Sequence, residues 1–152
     1  MNTTAPVDVL VVDDDADDRS LTLRALRGLP NPPTSFEVED GQQAIDYLCR
    51  LGDFSHLADT PCPRLVLLDL KLPFRTGIEV LQAVRGGKHC RATPIVLLTS
   101  SEHERDMSNA YDAGANGYIV KPGTYAEYLG WIRRTAEYWL EINRTPTDRL
   151  KR

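Results

Sequence analysis

A doubly wound α/β domain is the fold class that this sequence predicts, on three observations. Five short aliphatic and β-branched runs alternate with five stretches of helical period. Three of those runs are apolar without interruption, the pattern of strands covered on both faces of a parallel sheet. The chain has 152 residues, 41% hydrophobic and 26% charged, which suits one domain with its own core and argues against disorder.

Val7–Val12 reads as the first strand, and helical spacing follows over about residues 16–28 until Pro30, Pro32 and Pro33 end it. Phe36–Glu39 is the second strand. Asp40-Gly41 then opens a helix over about 41–51, with Gln43 three residues after the capping Asp40. Leu65–Leu68 is the third strand and about 77–86 the third helix, which Thr76 can cap. Ile95–Leu98 and a helix near 103–113 come next, then Tyr118–Val120 and a long helix over about 124–143. The domain therefore covers 7–143, with flexible termini at 1–6 and 144–152. The connection Gly52–Pro63 exceeds the ~2–6 residues usual in such units, so it is either a surface insertion or a partner-contacting element.

Charge and composition narrow the function. Eighteen Lys and Arg against 22 Asp and Glu leave a net charge of -4, the wrong sign for nucleic-acid binding. No apolar run approaches the ~20 residues that cross a bilayer. The start MNTTAPVDVL lacks the basic and apolar segments of a leader, so a cytoplasmic protein is expected. Cys49, Cys62 and Cys90 are odd in number and form no CxxC pair, which predicts free thiols in a reducing compartment. His56, His89 and His103 match no ligand spacing.

Ligands of an open parallel sheet bind outside the carboxyl ends of its strands. Asp13-Asp14-Asp15 follows the first strand here, Asp69 the third, Thr99-Ser100-Ser101 the fourth and Lys121-Pro122 the fifth. Crowded carboxylates resist ionisation unless a cation intervenes. Carboxylates of Asp14 and Asp69, helped by Asp13 through water, suit Mg²⁺, which keeps water positions for a substrate phosphate. The Lys121 ammonium and Thr99 hydroxyl suit the equatorial oxygens of a phosphoryl group. The set reads as phosphoryl transfer to Asp69, while Asp15 or Asp18 can be helix caps only.

Four segments carry a resemblance: VLVVDDD at Val9–Asp15, LVLLDLKLP at Leu65–Pro73, PIVLLTSS at Pro94–Ser101 and GANGYIVKP at Gly114–Pro122. In these the chain resembles the receiver domain of two-component response regulators over roughly residues 7–142. The resemblance implies a flavodoxin-like strand order 2-1-3-4-5 with Asp69 as phosphoacceptor and Asp13 and Asp14 as the acidic pair. It makes the Lys71 carbonyl a further Mg²⁺ ligand, Thr99 the switch hydroxyl, Lys121 the phosphate-binding lysine and Tyr118 the aromatic that rotates inward. It also implies a cis Lys121–Pro122 peptide. The chain departs from many receivers with Thr76-Gly77 in place of Asp-Gly and with Lys71 beside the site.

The long connection, the LDLKLP variant and the tail EYWLEINRTP resemble single-domain regulators paired with phytochrome-type histidine kinases. The donor is then a phosphohistidine of such a kinase, and the receiver is both catalyst and substrate rather than a turnover enzyme. With no residues left for an output domain, the signal is expected to leave by contact with a downstream protein or by relay. A degenerate binding module is the main alternative. A haloacid dehalogenase type phosphatase needs a second Asp where Lys71 stands, and a flavin binder's phosphate would be repelled by Asp13-Asp14-Asp15.

On a wheel at 100° per residue, Tyr125, Leu129, Ile132, Ala136 and Trp139 form one stripe of the last helix. Tyr128, Trp131, Thr135, Tyr138 and Ile142 form a second. Together they span about 200°, whereas a sheet covers little more than ~100°. The second stripe is therefore expected to be the core of a two-fold dimer.

Overall fold

The computed structural model describes residues 6–146. Strands β1 (Val9–Val12), β2 (Ser35–Val38), β3 (Leu65–Leu68), β4 (Ile95–Thr99) and β5 (Gly117–Val120) form one parallel sheet in the order β2-β1-β3-β4-β5. Helices α1 (Ala16–Arg27) and α5 (Tyr125–Glu137) cover one face. Helices α2 (Gly41–Cys49), α3 (Gly77–Arg85) and α4 (Glu104–Asp112) lie on the other. Expected and observed elements agree to within a residue or two at most ends. The expected flexible termini fall mainly on residues outside the described span.

The uninterrupted apolar runs have the cause assigned to them. In β1, Leu10 and Val12 point to the α2–α3 side while Val9 and Val11 point to the α1–α5 side, all at most 2% exposed. Strands β3 and β4 alternate likewise. Caps fix the helix starts. Asp15 accepts from the backbone N–H groups of Asp17 and Asp18, and Asp40 from that of Gln43. Thr76 and Glu79 form a reciprocal capping box, so Thr76 serves α3 fully.

The connection before β3 contains a 3₁₀ helix, Gly52–Leu57. Leu57 is buried, and the Phe54 ring meets Phe36 and Tyr47 edge-on, at 6.0 and 5.1 Å between centroids. These contacts place the connection on the α2 side, away from α5.

Three expectations need correction. Cys62 and Cys90 are joined as a disulfide, with only Cys49 free. Cys62 lies three residues before β3 and Cys90 five before β4, so the parallel pairing of those strands sets their Cα atoms 5.4 Å apart. The described peptide bonds are all trans, Lys121–Pro122 included. There the Lys121 N–H donates to Thr99 O at 2.8 Å, continuing the ladder. Third, the wheel misplaces Tyr128. The row against the sheet is Tyr128, Ile132, Ala136 and Leu140, stepping by four, with Tyr128 from the second stripe, Ile132 and Ala136 from the first and Leu140 from neither, whereas Tyr125 is 74% exposed. The helix also changes pitch, closing in a π-helical turn at Tyr138–Ile142. Of the second stripe, Tyr138 and Ile142 are exposed and Trp131 and Thr135 half-buried.

Thr22 donates its hydroxyl hydrogen to Asp18 O, so the Tyr128 hydroxyl donates to Thr22 Oγ1 at 3.0 Å. Tyr128→Phe is expected to cost about 1 kcal/mol in urea denaturation through loss of that buried bond. Its molar mass by light scattering should match wild type, since the ring packs inside the monomer.

Candidate functional site

Four strand ends converge at the carboxyl edge of the sheet. β1 runs into Asp13 and Asp14, β3 into Asp69, β5 into Lys121, and β4 ends in Thr99. Ligand oxygens of Asp13, Asp14 and Asp69 all lie within 4.8 Å of one another. The mouth opens as a cavity of about 760 Å³ lined by Asp14, Asp18, Asp69, Lys71, Thr99 and Lys121 among others.

Lys121 organises the charge. Its Nζ donates to Asp13 Oδ2 at 3.0 Å and Asp18 Oδ2 at 2.8 Å, and lies 3.7 Å from Asp69 Oδ2. Asp13 Oδ1 accepts from the Asp15 N–H at 2.9 Å, and Asp69 Oδ1 from the Leu70 N–H at 2.7 Å. Burial pushes the Asp69 carboxyl up to about 6 and the adjacent Asp13 charge adds to this, against the pull of Lys121. Burial also raises Asp13, though the Asp15 N–H and Lys121 oppose it. For Lys121 burial favours the neutral amine, but its bond to Asp18 and the charges of Asp69 and Asp13 outweigh that and hold it above the ordinary lysine range.

The site thus gathers Asp13, Asp14, Asp69, Thr99 and Lys121 as expected, with Lys71 on its rim. Thr99 is 1% exposed, and its Oγ1 accepts from the Ser101 N–H at 3.3 Å. Tyr118 stands apart from the acids. Its hydroxyl donates to Ser101 O at 3.0 Å in the loop after β4, and Ser101 Oγ bonds in turn to Asp106. Sequence reasoning undervalued Asp18. It stands three residues after the capping Asp15, in the first turn of α1, yet its carboxylate makes the shortest contact to Lys121, 103 residues away.

Three acidic groups with all-oxygen donors, one of them exposed, suit a hard divalent cation that keeps part of its water shell. An ammonium and a buried hydroxyl beside them suit a transferring anionic group.

The family described as response regulator receiver domain matches residues 9–133. The probable methanogenesis regulatory protein FilR2 of Methanothrix harundinacea is 36% identical over 141 residues, 93% of this chain and 88% of that protein. Among solved structures, the phosphorylated cyanobacterial phytochrome response regulator RcpA superposes with a TM-score of 0.84 at 30% identity, covering 93% of this chain and 99% of that one. The Mn²⁺-bound response regulator Rcp1 gives 0.81 at 28% identity over 91% and 97%; its Synechocystis sequence is 28% identical over 141 residues, 93% of this chain and 94% of that protein.

A carboxyl held near 6 in the fold against an ordinary 3.8 contributes fully to stability below the lower value and loses that contribution as pH rises through the upper one. Asp69→Asn is therefore expected to stabilise the cation-free protein at pH 7.5 by about 2–3 kcal/mol. The gain should vanish near pH 4. Denaturant titrations of both proteins in chelator at the two pH values check this.

Proposed function

Because the chain belongs to the response regulator receiver domain family, we propose that it accepts a phosphoryl group on Asp69 from a phosphohistidine of a sensor histidine kinase, in a Mg²⁺-dependent reaction. The assembly of Asp69 with Asp13, Asp14 and Lys121 at one cavity carries this reading.

An Asp69 carboxylate oxygen attacks phosphorus as the P–N bond to the donor imidazole breaks; with the other ring nitrogen of that imidazole protonated, the products are an acyl phosphate on the protein and a neutral histidine on the kinase. Asp13, Asp14, Asp69 and the Lys71 carbonyl would hold Mg²⁺, which supplies charge neutralisation for the transferring group. Lys121 moves its ammonium from Asp13 and Asp18 to a phosphoryl oxygen. Thr99 turns its hydroxyl to another, drawing the loop after β4 inward. That loop carries the carbonyl that holds Tyr118, so its movement releases the ring to turn inward. The likeness to RcpA, described as a phytochrome response regulator, supports a phytochrome-type kinase as donor. Output passes by protein contact or relay. An inert binding module has no use for the complete set of acids and lysine. A haloacid dehalogenase type phosphatase lacks its second acid, since Lys71 stands there.

The same reading includes a two-fold dimer. β5 is an edge strand with all four residues half-buried, and Tyr118, Ile119 and Val120 line a groove of about 470 Å³ with Trp131, Arg134 and Thr135. Tyr138 and Ile142, further along the chain from Trp131, are 47% and 68% exposed.

Phosphoramidate with Mg²⁺ is expected to phosphorylate the wild type in an acyl-phosphate-sensitive gel, and Asp69→Asn not at all. Asp14→Asn should weaken the Mg²⁺-dependent thermal shift, with an apparent affinity loss of roughly tenfold, about 1.4 kcal/mol. Acid-stable label on the Asp69→Asn protein, or equal shifts, would refute these roles. Light scattering is expected to show a dimer for wild type and a monomer for Trp131→Glu. A monomeric wild type with and without beryllofluoride would defeat the dimer.

A further inference from the structure

The amino edge of the sheet, opposite the acids, holds a buried cation without an anion. Arg50 is 5% exposed. Its guanidinium donates to Tyr47 O at 2.9 Å, Thr60 O at 3.1 Å and Pro61 O at 3.2 Å. Among the described residues no carboxylate lies within 4.0 Å of it, and its buried Nε has no hydrogen-bond partner. Burying an uncompensated charge in this way is costly. The guanidinium lies over the Tyr47 ring, its Cζ 5.4 Å from the centroid, and its Nη2 lies 3.9 Å from Cys62 Sγ, in the disulfide to Cys90.

We propose that Cys62, Cys90 and Arg50 form a thiol–disulfide exchange site, with Cys62 as nucleophile, Cys90 as resolving thiol and a low-molecular-weight disulfide such as oxidised glutathione as co-reactant. Opening the disulfide gives Arg50 the anion it lacks, because the Cys62 thiolate then lies against the guanidinium. Exposure assigns the two sulfurs different tasks. Cys62 is half-buried and open to attack, whereas Cys90 is 6% exposed and can reach only its neighbour. In the oxidising direction the Cys62 thiolate attacks one glutathione sulfur, forming a mixed disulfide and expelling a glutathione thiolate. The Cys90 thiolate then attacks Cys62 Sγ and expels the second. Two protein thiols are oxidised, one glutathione disulfide is reduced to two thiols, and the thiol protons leave with them. Reduction runs the same steps backwards. Cys49 is the internal contrast, since burial and nearby Asp46 push its thiol up, away from the reactive form.

The result is a covalent tie, made or broken, between the connection before β3 and the loop between α3 and β4.

The test uses the full chain, reduced and freed of reductant, then mixed with oxidised glutathione, quenched with acid at intervals and analysed by peptide mass spectrometry. The expected course is a transient glutathione adduct on Cys62, followed by closure of Cys62–Cys90. Arg50→Met should slow adduct formation at least tenfold and Arg50→Lys should restore most of the rate. An adduct appearing first on Cys90, failure of the pair to close, or an unchanged rate in Arg50→Met would overturn the proposal. Should Arg50→Met not fold, Cys90→Ser decides, because it retains Cys49 and Cys62. Iodoacetamide should alkylate Cys62 at least tenfold faster than Cys49 at pH 7.5, and equal rates would again overturn it.

Discussion

A carboxylate withdrawn from water needs a cation nearby, and at the carboxyl edge of this sheet Asp13, Asp18 and Asp69 share one. Lys121 meets two of them at 3.0 and 2.8 Å and stands 3.7 Å from the third. The parallel register sets this up: β1 and β3 end level with each other, while β4 and β5 run two residues further and carry Lys121 out over the acids. The arrangement also requires α3 to start against the backbone of Asp69. Gly77 allows this: a Cβ there would lie 2.6 Å from Asp69 O, too close for any side chain. Core packing thus acts on the chemistry by setting where four strand ends stop.

What could be read from the sequence was whatever is encoded locally. Asp40 announces a helix start by its spacing to Gln43 and Thr76 by being a capping residue type, and each accepts the backbone bond expected of it. Unbroken apolar runs mark two-sided burial, and the residues after them mark the site. Pairings between distant segments were harder to see. Asp18 reads as a helix-start acid because it falls in the first turn of α1, and only the fold brings Lys121 to it. Cys62 and Cys90 belong to no motif, and the adjacency of β3 and β4 alone makes them neighbours. Tyr128 was misassigned because two overlapping apolar stripes leave the orientation of a helix undetermined until the sheet selects one row.

The long connection before β3 adds an aromatic layer to the α2 side, where Phe36 and Tyr47 stack at 5.1 Å and Phe54 closes over them. Its return segment supplies the carbonyls that receive Arg50. Cationic groups consequently anchor both ends of the sheet, Lys121 half-buried and Arg50 buried, with opposite solutions: surplus acid around Lys121, and carbonyl oxygen, an aromatic ring and sulfur around Arg50.

The surplus at the first of these has a consequence for timing. Asp13, Asp14, Asp18 and Asp69 gather around Lys121 with Lys71 at the rim, so four acidic groups stand against two ammonium groups and the mouth carries excess acid. A dianionic phosphoryl donor alone is repelled there, and a cation alone finds no anion to transfer. A cation and a phosphoryl group arriving together offset each other's charge, so Coulomb's law favours their joint approach to this mouth over that of the anion alone.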